Sequence, residues 1–244
     1  MATMVITPTA VAAERRFYSG IALAILLAVL VGFSRTFFLR PLFPDARAPS
    51  ETLFYVHGAV ATAWLLLFVL QTRLVATGRT AWHRRIGPYG ALLALAMVVL
   101  GLWGALTAAG RATGFNGVPV PPMQFLAIPV FDISLFALFV VLAVVRRRDL
   151  AAHKRWMLLA TINLLPAAFA RWPGVTQFGP IGFLALTDLF ILALAVHDRR
   201  TRGRLHPATL WGGLLLIASQ PLRLAVSGTE GWLAFAHWAT GLVA

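Results

Sequence analysis

A few side chains of this sequence could do chemistry, and most of them stand where water is scarce. Asp132 and Asp188 lie inside long apolar runs, and so does His57. An acidic side chain at the centre of a bilayer costs roughly 2.5–3.5 kcal/mol on the mildest scale. Each acid must then face a bundle interior and find a partner or a proton. Depth along the apolar runs groups Arg35, His57, Asp132, Arg171, Gln220 and Arg223 into one outer layer, contributed by several helices. A His57–Asp132 pair would orient the imidazole. Arginines facing the same cavity, Arg171 first among them, would favour an anionic headgroup, propionate or carboxylate. The alternative is that the arginines snorkel separately to the outer interface. For Asp188, beside Thr187, the alternative is a buried acid hydrogen-bonded to Ser, Thr or backbone.

A second set lies at the opposite rim. TAWHRRIGPYG carries His83, Arg84 and Arg85, and AAHKRWMLL carries His153, Lys154 and Arg155. Each histidine opens an apolar run, so the two could meet. A pair of histidines suffices for a bis-imidazole haem, with haem b as the cofactor. A closed zinc site would need His197, His206 or Asp198 to join them. The neighbouring cations read as orientation signals, and the alternative for each lone rim histidine is an ordinary interfacial role.

The elements that must hold these groups are membrane helices. The chain has 244 residues, is 59% hydrophobic and only 12% charged, against about 25% charged in a soluble domain. Its mean hydropathy is +0.81. A span needs about 20 apolar residues. Such runs cover Phe17–Phe38, Leu53–Val75, Ile86–Ala109, Gln124–Val145, Ala152–Ala170, Ile181–Val196 and Ala208–Leu224, the sixth at the lower limit of length. The expected fold is all-α: a polytopic bundle of seven transmembrane helices in one domain, residues 1–244, with Gly231–Ala244 as a short C-terminal interfacial helix. Ala46-Arg47-Ala48 resembles a cleavage site, but the first run is about twice a signal core. A retained signal anchor is expected.

Net charge is +13, and its distribution matters more than its size. Fifteen cations, Arg155 among them, fall at one end of these spans, and six, including Arg35, Arg47, Arg171 and Arg223, at the other. The positive-inside rule places the N-terminus in the cytoplasm. Seven crossings then leave the C-terminus in the periplasm. Charge alone gives no support to nucleic-acid binding. There is no cysteine, which excludes disulfides, thiolate metal sites and a thiol nucleophile. No helix interior carries a lysine for a retinal Schiff base, and there is no phosphate loop, His-Glu-x-x-His or nucleophile elbow.

Packing signals complete the picture. Gly90, Ala94, Met97, Gly101, Gly104 and Ala108 form a small-residue stripe on the third span. Such stripes let helices approach closely, and could also leave room for a flat cofactor. On the second span His57, Trp64 and Gln71 share a face. On the fifth, His153, Trp156, Asn163 and Arg171 give a polar face over the whole length. A helix of that kind must line a bundle interior or a cavity.

GFSRTFFLRPLF, FYVHG, GRTAWHRRIG, HKRWMLLATINLL and ARWPG together resemble a group of bacterial multi-pass inner-membrane proteins with no established activity. The resemblance covers nearly the whole chain and implies architecture and location, not a reaction. His57, followed by His83 before Gly87, is more weakly similar to cytochrome b561-type electron carriers. Those resemble bundles holding two b haems between histidines within the membrane. Here His83 and His153 stand at the rim, and His57 has only His237 at its side. The reading that follows is a haem- or quinone-linked electron carrier or membrane oxidoreductase subunit. The alternatives are a binding or transport protein for an anionic amphiphile, lipid or quinone, and a structural or assembly subunit. Expected partners are membrane lipids, other membrane subunits or further copies of the chain.

Overall fold

The computed structural model describes residues 8–46, 51–115, 118 and 120–243. Arg47 and Ala48 of the cleavage-site resemblance, and Ala244 of the expected interfacial helix, lie outside the described residues. Those described form helices and no strand. In order these are α1 Pro8–Phe33, α2 Thr52–Ala76, α3 Thr80–Gly110, the single turn α4 Pro122–Phe125, α5 Ala127–Val145, α6 Leu150–Ile162, α7 Leu165–Phe169, α8 Gly179–Arg202, α9 Pro207–Ser227 and α10 Glu230–Gly241. A π-helical stretch, Ser34–Phe38, carries α1 onward. Six helices are long and apolar enough to cross a membrane. The protein is an integral, multi-pass membrane bundle.

The element starts follow local chemistry. Asp149 caps α6, its carboxylate accepting from the N–H groups of Ala151 and Ala152 at 3.0 and 3.1 Å. Those bonds, to Ala152 and then Ala151, hold the Asp149 carboxyl below the usual carboxylate range. Prolines stand in the first turns of α4, α8 and α9, where their missing N–H has no helical partner to lose. Gly203 closes α8 at φ 69°, a left-handed cap that costs glycine little.

Three expectations about the spans are corrected. The run Ala152–Ala170 is not one helix but α6 and α7, separated at Asn163 and Leu164. The cause is Pro166, which cannot donate to the carbonyl of Ile162 and crowds it. The polar face expected along the whole of that run is therefore not one face. The span expected to end at Val196 continues to Arg202, because His197 and Asp198 are buried by neighbouring helices and not exposed to lipid. The span expected from Ile86 begins at Thr80, so His83 sits within the first turns of α3.

The broken segment α6–α7 is the centre of the bundle. Leu158, Leu159, Ala160, Thr161 and Ile162 are all 0% exposed, as befits a helix surrounded on every side. Around it pack Ile25 of α1, Trp64 and Phe68 of α2, Phe136 and Phe139 of α5, Ile191 and Leu194 of α8, and Leu216 of α9. Close approach depends on two glycines. A Cβ on Gly32 would strike the Ala168 carbonyl, and one on Gly212 would meet Leu159 and Trp156 at 2.5 and 2.7 Å. The stripe on α3 is a packing face: a Cβ on Gly101 would meet Ile133 at 3.0 Å, and one on Gly104 would meet Phe54 at 3.4 Å. α10 docks on α3, α4 and α5 through Trp232 and Ala236, beside Ala105, Ala109, Leu126 and Ala127.

Candidate functional site

Two buried Arg–Asp pairs organise the polar interior. The first lies within the bundle, at the level where α6 gives way to α7. Asp132 of α5 receives a hydrogen bond from Arg223 Nη1 of α9 at 2.5 Å. The guanidinium is steered inward by its own helix: Nε donates to the Ser219 carbonyl and Nη2 to Ser219 Oγ, at 3.2 and 2.9 Å. Asn163, at the helix break, donates to the Asp132 carbonyl at 2.6 Å. One turn from Arg223, Gln220 Nε2 donates to Asp188 Oδ1 of α8 at 2.8 Å. Asp132, Asn163, Thr187, Gln220 and Arg223 line a small cavity of about 10 Å³, with Pro166 in its wall. That is room for about one water.

Of the outer layer expected from sequence, Asp132, Gln220 and Arg223 meet on this cavity. His57, Arg171 and Arg35 are placed elsewhere. His57 packs against α3 at Gly101, and its Nδ1 is buried with no hydrogen-bond partner. Arg171 donates to the Ala167 carbonyl and its guanidinium lies 4.5 Å over the Phe33 ring. Arg35 stands over Phe43 at 5.4 Å. Among the described residues the ion-pair partner of Asp132 is Arg223. Among the described residues Asp188 pairs with Gln220 and not with Ser, Thr or backbone.

The second pair lies at the end of the bundle that carries the basic loops. Arg155 of α6 and Asp198 of α8 are both 0% exposed and ion-paired. Arg155 Nε reaches the two carboxylate oxygens at 3.0 and 3.2 Å, and Nη1 donates to the Ala151 carbonyl at 2.8 Å. Asp198 Oδ2 also accepts from the His206 backbone N–H and from Thr209 Oγ1, at 3.0 and 2.6 Å. Arg155 is thus no orientation signal, as its place in a basic run suggested; it is the bolt between α6, α8 and α9. The hint available in the sequence was Asp198, an acid among arginines.

Two of the rim histidines, His197 and His206, lie beside this bolt, and the other two meet on the far side of α6. His206 caps α9, its Nδ1 accepting from the Ala208 N–H at 3.0 Å. Burial, then Arg155 and Arg202, push its pKa below the ordinary imidazole value. His197 stacks on Phe17, centroids 3.9 Å apart and planes within 4°. His83 and His153 do meet, with ring centroids 6.3 Å apart. His153 Nδ1 contacts the Ala143 carbonyl at 2.8 Å; His83 Nδ1 and Gln71 Oε1 are buried without partners. Among the described residues no group of three or more His, Asp or Glu side chains is arranged to hold a metal ion. Of the three residues of which one would have had to join the rim pair in a zinc site, Asp198 is committed to Arg155, His206 to the α9 cap, and His197 is stacked on Phe17. Compared with protein-family models, with curated proteins and with solved structures, the chain finds no match.

Proposed function

We propose that this protein is a membrane transport protein that handles protons at the Asp132–Arg223 centre. The carrying observation is the coincidence of that ion pair, a second carboxyl at Asp188, a cavity with room for one water and a broken helix at the same level. Non-helical backbone at membrane depth is tolerated only inside protein or beside a polar cavity. Broken helices and buried acids are the devices with which membrane carriers build their sites. A proton taken up by the Asp132 carboxylate frees Arg223, which Ser219 still holds through two bonds. Loss of that proton restores the pair. Wild-type protein in vesicles, under an inside-negative potassium diffusion potential, should acidify the lumen faster than protein-free vesicles. Asp132→Asn and Asp188→Asn should each lose at least about tenfold of that rate. A wild-type rate equal to that of empty vesicles overturns the proposal.

The same reading has seven crossings, with α6–α7 as the fifth and a bacterial inner membrane as the setting. The support is antiparallel alignment: His153 meets Ala143, and ten residues on Asn163 meets Asp132. The resemblance to bacterial inner-membrane proteins agrees. α10, with 12 residues, is roughly 18 Å long and falls short of a bilayer core of about 30 Å, so it lies at the interface. Reporter tags after Arg204 and at the C-terminus should then report opposite sides, cytoplasm and periplasm.

A second reading, haem b between His83 and His153, rests on their juxtaposition. Histidines that bind metals usually give their other ring nitrogen to a carbonyl or carboxylate, and Ala143 offers one to His153. Haem added to the purified protein should give a Soret band that His83→Ala abolishes. No band in the wild type excludes the reading.

A further inference from the structure

On the bilayer-facing side, α1 and α8 diverge and leave an open groove of about 390 Å³. Its walls are Phe17, Gly20, Ile21 and Ala24 of α1, and Leu189, Phe190 and Ala193 of α8; Arg16 stands at one end. Phe17 stacks on His197, so the Arg16 end is the basic end of the bundle and the Ala24–Leu189 end points toward the membrane centre. From Arg16 to Ala24 is eight residues, roughly 12 Å of helix. One leaflet's hydrocarbon is about 15 Å deep. The groove therefore has the depth, the polarity gradient and the position of a single lipid in one leaflet.

Its charge selects among lipids. Glu14, the acid nearest in sequence, is bound to Lys154, and among the described residues Arg16 is in no ion pair. Arg15, Arg199, Arg200 and Arg202 are exposed at the same end. We infer that the α1–α8 groove is a binding site for an anionic phospholipid, with an acyl chain against Gly20, Ala24 and Ala193 and the phosphate on Arg16. This inference does not depend on the proposed proton handling at Asp132.

Gly20 supplies a clean test. A Cβ there would meet nothing within 4 Å, and leucine is a better helix former than glycine. Gly20→Leu should fold and fill the groove. The protein in detergent is offered equimolar dioleoyl phosphatidylglycerol and dioleoyl phosphatidylcholine, and retained lipid is read by native mass spectrometry. The wild type should favour phosphatidylglycerol about fivefold, the contribution of about one surface cation. Arg16→Gln should erase that preference, Gly20→Leu should lower retention of both lipids, and Arg73→Gln, an exposed cation on α2, should behave as wild type. Equal retention of the two lipids by the wild type overturns the assignment. So does phosphatidylglycerol retention by Arg16→Gln or Gly20→Leu at the wild-type level, or an equal loss in Arg73→Gln.

Discussion

The two buried Arg–Asp pairs, one joining α5 to α9 and the other α6 to α8, differ in how fully their carboxylates are satisfied. Around Asp198 the polar valences are filled: Arg155, Thr209 and the His206 backbone all donate to it, and neither charged side chain is exposed. Around Asp132 they are not. Among the described residues its carboxylate accepts from Arg223 alone, the side chain keeps 17% exposure against 5% for Arg223, and a cavity with a second carboxyl nearby adjoins it. A saturated pair has one arrangement and acts as a clamp. An unsaturated pair beside a space for water leaves room for a second, protonated arrangement, which the proposed proton handling needs.

The contrast can be broken from either side. The largest effect should come from Arg155→Met, which leaves Asp198 charged and unpaired in a site without solvent; a loss of about 3–5 kcal/mol is expected. Adding Asp198→Leu should recover much of that loss, because an apolar pair can replace a buried ionic one. Unfolding in detergent measures both. Asp132→Asn should cost less, ~1–3 kcal/mol, and the folded variant should have lost proton movement. If Asp132→Asn proves the more destabilising, the assignment of clamp and working site is reversed. Thr209→Val, which removes one donor from Asp198, should cost ~1 kcal/mol without touching proton movement.

A smaller effect depends on pH. The folded pKa of His206 lies below its unfolded value, which is about 6.5. The unfolded chain therefore binds more protons as pH falls through that value, and stability drops on acidification from pH 7. The local reason is direct: protonation of Nδ1 removes the acceptor for the Ala208 N–H. His206→Asn keeps a capping acceptor and does not titrate. Melting midpoints of this variant should change less than the wild type's between about pH 7 and 5.5. Equal pH dependence in the two proteins contradicts the role given to the cap.

The sequence made depth legible and left rotation hidden. Apolar runs reveal how far along a helix a residue sits, so Asp132, Gln220 and Arg223 could be assigned to one layer, and they share one cavity. Depth alone puts His57, Arg171 and Arg35 in the same layer. Which side of a helix faces inward is fixed by packing, here by Gly101 against His57 and Phe33 under Arg171, and hydropathy does not carry that. Arg155 was illegible for a related reason. A basic run next to an apolar one marks a cytoplasmic rim, and nothing in the run says that one of its members turns inward. The break at Asn163 could have been read from Pro166, but the surrounding run is apolar enough to pass for one helix.

The working site is tested at its own atoms by the pH-induced infrared difference spectrum of the purified protein in lipid. A carboxyl that gains and loses a proton has a C=O stretching band that rises and falls with pH. The wild type should show such a band, and Asp132→Asn should remove or shift it while the folded state persists. A pH-difference spectrum in the carboxyl region that is the same in the wild type, Asp132→Asn and Asp188→Asn would contradict proton handling at this centre, and would make its ion pair a second clamp.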